Sequence, residues 1–221
     1  MHKSRSVLLT VMVVFLYSYA TAHAVLLSFV PASQSVVIGS AVSIDLVISG
    51  LGDHMPPSLS TFDLDVSFDP AIVTLATTDT DGDGVIDSVV LDPTGQLDVL
   101  GLGGNPMSAQ LVGPGTLNLF DLSLDDPVDL DTLQAGTFPL ATITFGSIGL
   151  GTSSLDVLIN ALGDAEGNPL PADVSAGSIT VTQSSVQTPE PSTIFLLGAC
   201  LLGLLGCCWR QRRSVASCPT E

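Results

Sequence analysis

Four carboxylates recur at short intervals in the stretch Asp79-Thr-Asp81-Gly-Asp83-Gly84-Val-Ile-Asp87. Counted from Asp79, they occupy positions 1, 3, 5 and 9, and a glycine stands at position 6. Alternating oxygens of this kind can converge on one calcium ion, and the glycine allows the sharp turn that such a loop needs. The spacing therefore predicts that Asp79, Asp81, Asp83 and Asp87 bind calcium.

The same loop differs from an EF-hand. Position 12, where an EF-hand has a bidentate glutamate, is Val90. No helical pattern flanks the loop, and it occurs only once in the chain. A solvated acidic turn is therefore the alternative to a calcium site.

A second acidic cluster lies between Phe120 and Leu133. Its members are Asp121, Asp125, Asp126, Asp129 and Asp131. A second cation site is one interpretation of this cluster. A solvated loop is favoured, because no glycine-bearing ligand spacing accompanies the carboxylates.

Residues 25–188 contain few side chains that could perform catalysis. They include no cysteine, lysine or arginine, and their one histidine, His54, lies in a loop rich in glycine and proline. No G-x-S-x-G nucleophile elbow occurs. We therefore predict no catalytic residues and no enzymatic activity.

Charge is distributed very unevenly along the chain. All five lysines and arginines lie near its ends, and of the 22 acidic residues only Glu190 and Glu221 lie outside residues 25–188, which leaves 20 there. This region would repel nucleic acid, whose binding depends on lysine and arginine, so no nucleic-acid partner is expected. Self-repulsion would oppose folding unless cations screened it, which makes calcium the expected cofactor.

The N-terminus has the three parts of a secretory signal peptide. Basic residues at His2 to Arg5 precede an apolar run, and Ala22-His-Ala24 has the small-x-small pattern of a cleavage site. We predict a signal peptide over residues 1–24, cleaved before Val25. An uncleaved signal anchor is the alternative.

The C-terminal segment also has three parts. Pro189-Glu190-Pro191 is incompatible with a helix, and the 19 residues from Pro191 to Trp209 carry no formal charge. This length is close to the roughly 20 apolar residues that span a bilayer. Arg210, Arg212 and Arg213 follow at once and would stay in the cytoplasm. The pattern predicts a linker at 183–188, a transmembrane helix within 189–213 and a cytoplasmic tail at 214–221.

These C-terminal residues resemble the PEP-CTERM sorting tail of Gram-negative bacteria, although Thr188 stands where valine is usual. The resemblance implies that an exosortase recognises and processes the tail. The protein would be anchored at least transiently in the inner membrane and then passed to the cell envelope, the surface or the extracellular matrix.

Residues 25–182 show a hydrophobic period of two. Val42, Ile44, Leu46 and Ile48 alternate with more polar residues, and so do Phe62, Leu64, Val66 and Phe68. Such alternation is typical of strands with one face in a core and one in water. Nine or ten short strands separated by Gly, Pro and Asp clusters predict an all-β sandwich. No comparable helical pattern occurs outside the termini.

The stretches Val30 to Leu51, Ser60 to Leu75, Leu140 to Leu155 and Gly177 to Val181 resemble a cohesin domain. The resemblance implies a jelly-roll sandwich of about nine strands at 25–182, with Thr77 to Thr116 as an insertion or a divergent strand region. Cohesins bind dockerins through one sheet face. The expected function is that of an exported structural or adhesive surface protein that binds calcium. Binding of exopolysaccharide and dockerin-type protein recognition are the alternatives.

Overall fold

The computed structural model describes residues 25–184 and 195–202. Of the described residues, 25–183 belong to one compact unit, and 184 and 195–202 belong to a second. The described part of the first unit, residues 25–183, is called the body below. The predicted cleavage site and the residues of the predicted sorting motif lie outside the described residues: Ala22, Ala24, Pro189, Glu190, Pro191, Arg210, Arg212 and Arg213.

The body contains twelve strands and one short helix. The strands are β1 (Val25–Val30), β2 (Ser33–Val37), β3 (Ala41–Ser49), β4 (Leu59–Ser67), β5 (Val73–Thr74), β6 (Val89–Leu91), β7 (Met107–Gly113), β8 (Thr116–Leu122), β9 (Thr137–Ser147), β10 (Gly151–Asp164), β11 (Ala172–Ser175) and β12 (Gly177–Thr182). The helix, α1, spans Pro127–Leu133 and lies between β8 and β9.

The strands form two six-stranded sheets. The first sheet has the order β11-β1-β3-β9-β5, with β6 also paired to β9. The second sheet has the order β2-β12-β10-β4-β8-β7. Two pairs are parallel, β1 with β11 and β2 with β12, and the other pairs are antiparallel.

The first and last strands of the body pass from one sheet to the other. The chain leaves β1 at Pro31, which cannot donate to a ladder, and then enters β2 in the second sheet. β11 and β12 make the same change around Ala176. Gly177 fits this corner because a Cβ there would lie 2.9 to 3.0 Å from atoms of the Phe29 side chain.

The predicted alternation is confirmed by burial. Val42, Ile44, Leu46 and Ile48 of β3 point into the core, as do Phe62, Leu64 and Val66 of β4 and the adjoining Phe68. Rings of Phe68 and Phe145 pack edge to face with their centroids 5.4 Å apart. The core between the sheets is thus built from the apolar positions of alternating strands.

Two parts of the body differ from the sequence prediction. The structure has twelve strands, because β7 and the edge strand β11 were not predicted from their weak apolar patterns. The region 77–116, predicted as an insertion or a divergent strand region, contains β6 and β7. The acidic cluster predicted as a loop contains α1, whose seven residues are too few to show a helical period.

Residues 195–202 of the second unit are helical. No helix in the described ranges is both long and apolar enough to cross a membrane. The predicted transmembrane helix extends beyond the described residues on both sides of this segment, so it stays a prediction.

Candidate functional site

The predicted calcium loop brings three of its four carboxylates together. Asp79, Asp81 and Asp83 each offer an oxygen, and these oxygens all lie within 4.8 Å of one another. All three side chains are exposed. The arrangement presents several carboxylate oxygens to solvent at one point.

Backbone N–H groups hold these carboxylates in place. Asp79 accepts the N–H of Gly82 at 2.7 Å through Oδ1 and that of Gly84 at 3.1 Å through Oδ2. Asp83 Oδ1 accepts the N–H of Val85 at 2.8 Å. Gly82 and Gly84 have φ of +78° and +90°, a conformation that residues with a Cβ rarely adopt. The glycines are therefore what allows the loop to wrap around the Asp79 carboxylate.

The fourth predicted ligand, Asp87, is not part of this cluster. Its Oδ2 accepts the hydroxyls of Thr80 at 2.6 Å and Thr78 at 2.9 Å, and its Oδ1 accepts the N–H of Thr80 at 3.0 Å. The hydrogen bonds from Thr80 and then from Thr78 lower the pKa of the Asp87 carboxyl. Asp87 fastens the two ends of the loop to each other.

The predicted calcium loop, residues 79–87 and called the acidic loop below, is attached to the body by buried side chains and backbone hydrogen bonds. Val85 and Ile86 are buried, and the Ile86 N–H donates to the carbonyl of Ala109 in β7 at 3.1 Å. Ala109 in turn donates its N–H to the carbonyl of Gly84 at 3.1 Å. The position of the carboxylate cluster is thus set by the edge of the second sheet.

The structure divides the second acidic cluster into different environments. Asp121 is only 2% exposed, so the prediction of a solvated loop is wrong for this residue. Asp131 Oδ1 accepts the hydroxyl of Ser58 at 2.6 Å, and Asp126 and Asp129 lie at the start of α1. Oδ2 of Asp125, like Oδ1 of Asp121, is buried without a hydrogen-bond partner.

A polar network covers the outer face of the second sheet. Asn118 of β8 donates through Nδ2 to Asp63 at 2.7 Å and to Asp65 at 2.9 Å, and Asn160 of β10 donates to Asp63 at 3.2 Å. Leu158 of β10 pairs with Asp65 and is 63% exposed. We call these five residues, Asp63, Asp65, Asn118, Leu158 and Asn160, the acidic face. Sequence alternation places each of them outward, but their pairing across strands required the register.

Other polar and aromatic residues do not form a site with these groups. His54 lies in an exposed loop, where Nδ1 is 3.2 Å from the Thr132 carbonyl and Nε2 is 3.7 Å from Asp53. Of the six phenylalanines in the body, five are buried and Phe120 is half-buried on the outer face of β8. Rings that stack on sugars need exposed faces, so the described residues offer no broad aromatic platform.

Comparison with known proteins finds a sequence match for the tail and structural likenesses for the body. Residues 187–213 match the PEP-CTERM protein-sorting motif. No curated protein matches the chain in sequence.

Solved cohesin structures resemble the body. CaCohA2 from Clostridium acetobutylicum is 20% identical, with a TM-score of 0.52 over 74% of this chain and 94% of its own. The seventh ScaB type I cohesin from Pseudobacteroides cellulosolvens is 14% identical, with a TM-score of 0.53 over 76% and 97%. A type I cohesin–dockerin complex from Clostridium thermocellum gives 9% identity and a TM-score of 0.54 over 72% and 99%. At these identities the likeness concerns the fold, and the chain therefore joins a cohesin-like domain to a PEP-CTERM sorting tail.

Proposed function

We propose that the protein is exported, sorted through its tail and displayed at the surface or in the extracellular matrix of a Gram-negative bacterium, where the body binds a protein partner. The matched sorting motif at 187–213 and the signal-peptide pattern at 1–24 support export. An exosortase would process the tail, and its apolar segment would hold the chain in the inner membrane until then. The body would act as a binding module and not as an enzyme.

The proposal that the body recognises a protein rests on the acidic face. Its carboxylates are already fixed by Asn118 and Asn160, so little side-chain freedom is lost when a partner docks. Leu158 stands beside them as an exposed apolar anchor. Ordered charges around one apolar side chain are suited to a specific protein contact.

The charge of the body defines the chemistry of the partner. Residues 25–183 contain no lysine or arginine, so complementary charge must come from the other molecule. We propose a partner whose docking surface carries lysine or arginine around an apolar pocket. Such a contact would associate faster at low ionic strength.

Variants that remove either the charges or the apolar side chain of the acidic face test this function. The D63N/D65N and L158A variants are expected to lose capture of one defined extracellular protein, with a decrease of about tenfold or more in affinity. D45N/D173N is the matched control for loss of two charges. Asp45 lies on the outer face of the first sheet, where it accepts the hydroxyl of Thr142 at 2.7 Å, and Asp173 is exposed on β11. Quantitative cross-linking at the surface of cells that express each full-length variant gives the measurement. Equal capture by all variants, or capture of glycan alone, would contradict the proposal.

We also propose that the acidic loop binds calcium. The convergent oxygens of Asp79, Asp81 and Asp83 support this, and Asp87 would act by holding the loop closed. Because these carboxylates are exposed, the ion would remain partly hydrated, and affinity in the range of extracellular calcium modules is expected.

Titration calorimetry of the full-length chain in neutral detergent tests the calcium loop. The D79N/D81N/D83N variant should lose one calcium-binding event, whereas D173N, which alters an exposed carboxylate on β11, should keep it. The stability of the sandwich should change little, because the loop lies at its edge. Identical calcium uptake by the two variants would refute binding at this loop.

A further inference from the structure

A second group of carboxylates surrounds a cavity of about 170 Å³ beside β6, β7 and β8. We call it the aspartate cavity, because its wall includes Asp92, Asp98 and Asp121, together with Asn105. Asp92 directly follows β6, Asp98 and Asn105 belong to the loop before β7, and Asp121 belongs to β8. The cavity is separate from the acidic loop, since none of its lining residues belongs to 79–87.

Asp121 occupies a position where the strand pattern calls for an apolar side chain. It shares the inward face of β8 with Leu117 and Leu119, which are fully buried. Asp121 itself is 2% exposed, and its Oδ1 has no hydrogen-bond partner. A carboxylate buried in this way is costly unless it is neutralised, and the body contains no lysine or arginine that could do so.

The facing carboxylates add further negative charge to the wall of the cavity. Burial above all, together with the charges of Asp92 and Asp98, raises the pKa of Asp121 to about 7. Burial also raises the pKa of Asp92. The three side chains therefore repel one another at the place where the body could best accommodate a positive charge.

Two of the three carboxylates are held by the chain around them. Asp92 accepts the N–H groups of Gln96 and Leu97, both at 2.7 Å. Asp98 accepts those of Leu102 at 2.8 Å and Gly103 at 3.0 Å. Each oxygen keeps a second lone pair, so these bonds position the carboxylates without using up their capacity to accept.

We infer that the aspartate cavity binds a calcium ion through Asp92, Asp98 and Asp121, with the side-chain oxygen of Asn105 as a further ligand. Asn105 is fixed beside them, because its Nδ2 donates to the Leu97 carbonyl at 2.8 Å and its Oδ1 accepts the Leu124 N–H at 3.2 Å. An all-oxygen ligand set with three carboxylates suits a hard divalent cation.

Calcium fits this cavity better than magnesium. The ligands come from a strand, a strand end and an irregular loop, whereas magnesium demands a nearly ideal octahedron. Of the carboxylate groups in the described residues, only Asp79, Asp81 and Asp83 bring three oxygens within 4.8 Å. Binding in the aspartate cavity is therefore expected to bring the loop that carries Asp98 closer to Asp121. Calcium tolerates the irregular coordination that results.

The test uses the full-length chain with D79N/D81N/D83N, so that the acidic loop cannot contribute. In this background, calorimetry should detect one calcium-binding event, and millimolar calcium should raise the melting temperature of the body. Adding D121N or D98N should weaken the affinity at least about tenfold and remove most of that rise. D173N serves as the matched control for loss of one negative charge and should change neither result.

Two variants keep the inference falsifiable. D121N is expected to fold, since asparagine fills the same space without the buried charge, and circular dichroism without calcium checks this. If D121N does not fold, D98N decides, because Asp98 is only half-buried. The inference is overturned if calcium leaves the melting temperature of the background protein unchanged, if D98N binds calcium as tightly as the background, or if magnesium gives the same rise.

Discussion

Replacement of Gln134 by methionine is expected to lower the free energy of unfolding by about 3 to 6 kcal/mol, because two buried hydrogen bonds and one partly buried hydrogen bond are lost together. Gln134 follows α1 directly and is 1% exposed. Its Oε1 accepts the Leu59 N–H at 2.6 Å, and its Nε2 donates to the carbonyls of Leu59 and Gln96, both at 2.8 Å. Methionine has a similar length but supplies none of these bonds, so the backbone groups would stay buried without partners.

The matched control for this change is Q110M, which makes the same replacement on the exposed face of β7. Urea unfolding of the full-length chain in neutral detergent, followed by far-ultraviolet circular dichroism at constant calcium, gives the two free energies. Q110M should equal the wild type. A Q134M protein within about 1 kcal/mol of the wild type would show that the three bonds contribute little net stability.

Gln134 also connects stability with the proposed cation site. Gln96, to which it donates, is part of the turn that wraps around the Asp92 carboxylate. The Gln96 side chain also contacts the residue after Gln134, since its Oε1 accepts the Ala135 N–H at 2.6 Å. Loss of Gln134 is therefore expected to loosen the aspartate cavity as well as the start of β4.

The sequence predicted the parts of the fold that depend on local alternation. β3 and β4 show a strict period of two, and their apolar positions are buried as expected. β7 and β11 escaped prediction because they are edge strands with few inward apolar residues, and their pairing depends on partners distant in the chain. Short-range patterns cannot reveal strands whose stability comes from a neighbour.

The candidate sites also divide into one that local sequence predicted and one that depends on residues distant in the chain. The acidic loop is local, so its spacing was enough to expect Asp79, Asp81 and Asp83 close together, and their binding of calcium stays a prediction. The aspartate cavity joins residues almost thirty positions apart, and nearness in sequence grouped Asp121 instead with Asp125 to Asp131. One local sign was available, since Asp121 continues the inward series of Leu117 and Leu119. A carboxylate at a core position of an alternating strand indicates a buried functional group.

Because the body has no lysine or arginine, it positions its carboxylates with backbone N–H groups. Asp69 accepts the N–H of Ala71, Asp164 accepts that of Asn168, and Asp79, Asp92 and Asp98 each accept two. Asp121 differs from these aspartates, because its Oδ1 has no hydrogen-bond partner and the charges of Asp92 and Asp98 lie nearby, so we expect its protonation to affect the stability of the body.

In calcium-free buffer, the wild-type body is expected to lose about 4 kcal/mol of stability through Asp121 between about pH 4 and about pH 8. Its pKa is about 7 in the folded protein, against 3.8 for the free side chain. Between these values the folded state keeps a proton that the unfolded state has lost, so stability falls as pH rises. Below both values the protonated form is present in both states, and this contribution to stability is complete.

The D121N variant isolates this effect, because all other carboxylates are the same in both proteins. Asparagine cannot ionise, so the free energy of unfolding of D121N minus that of the wild type should grow with pH and level off above the folded pKa. Without calcium, D121N should then be the more stable protein at about pH 8, because the wild type buries a charge there that nothing neutralises. Urea unfolding at a series of pH values measures this difference. If it stays constant across the series, Asp121 has an ordinary pKa and its burial imposes no charge penalty.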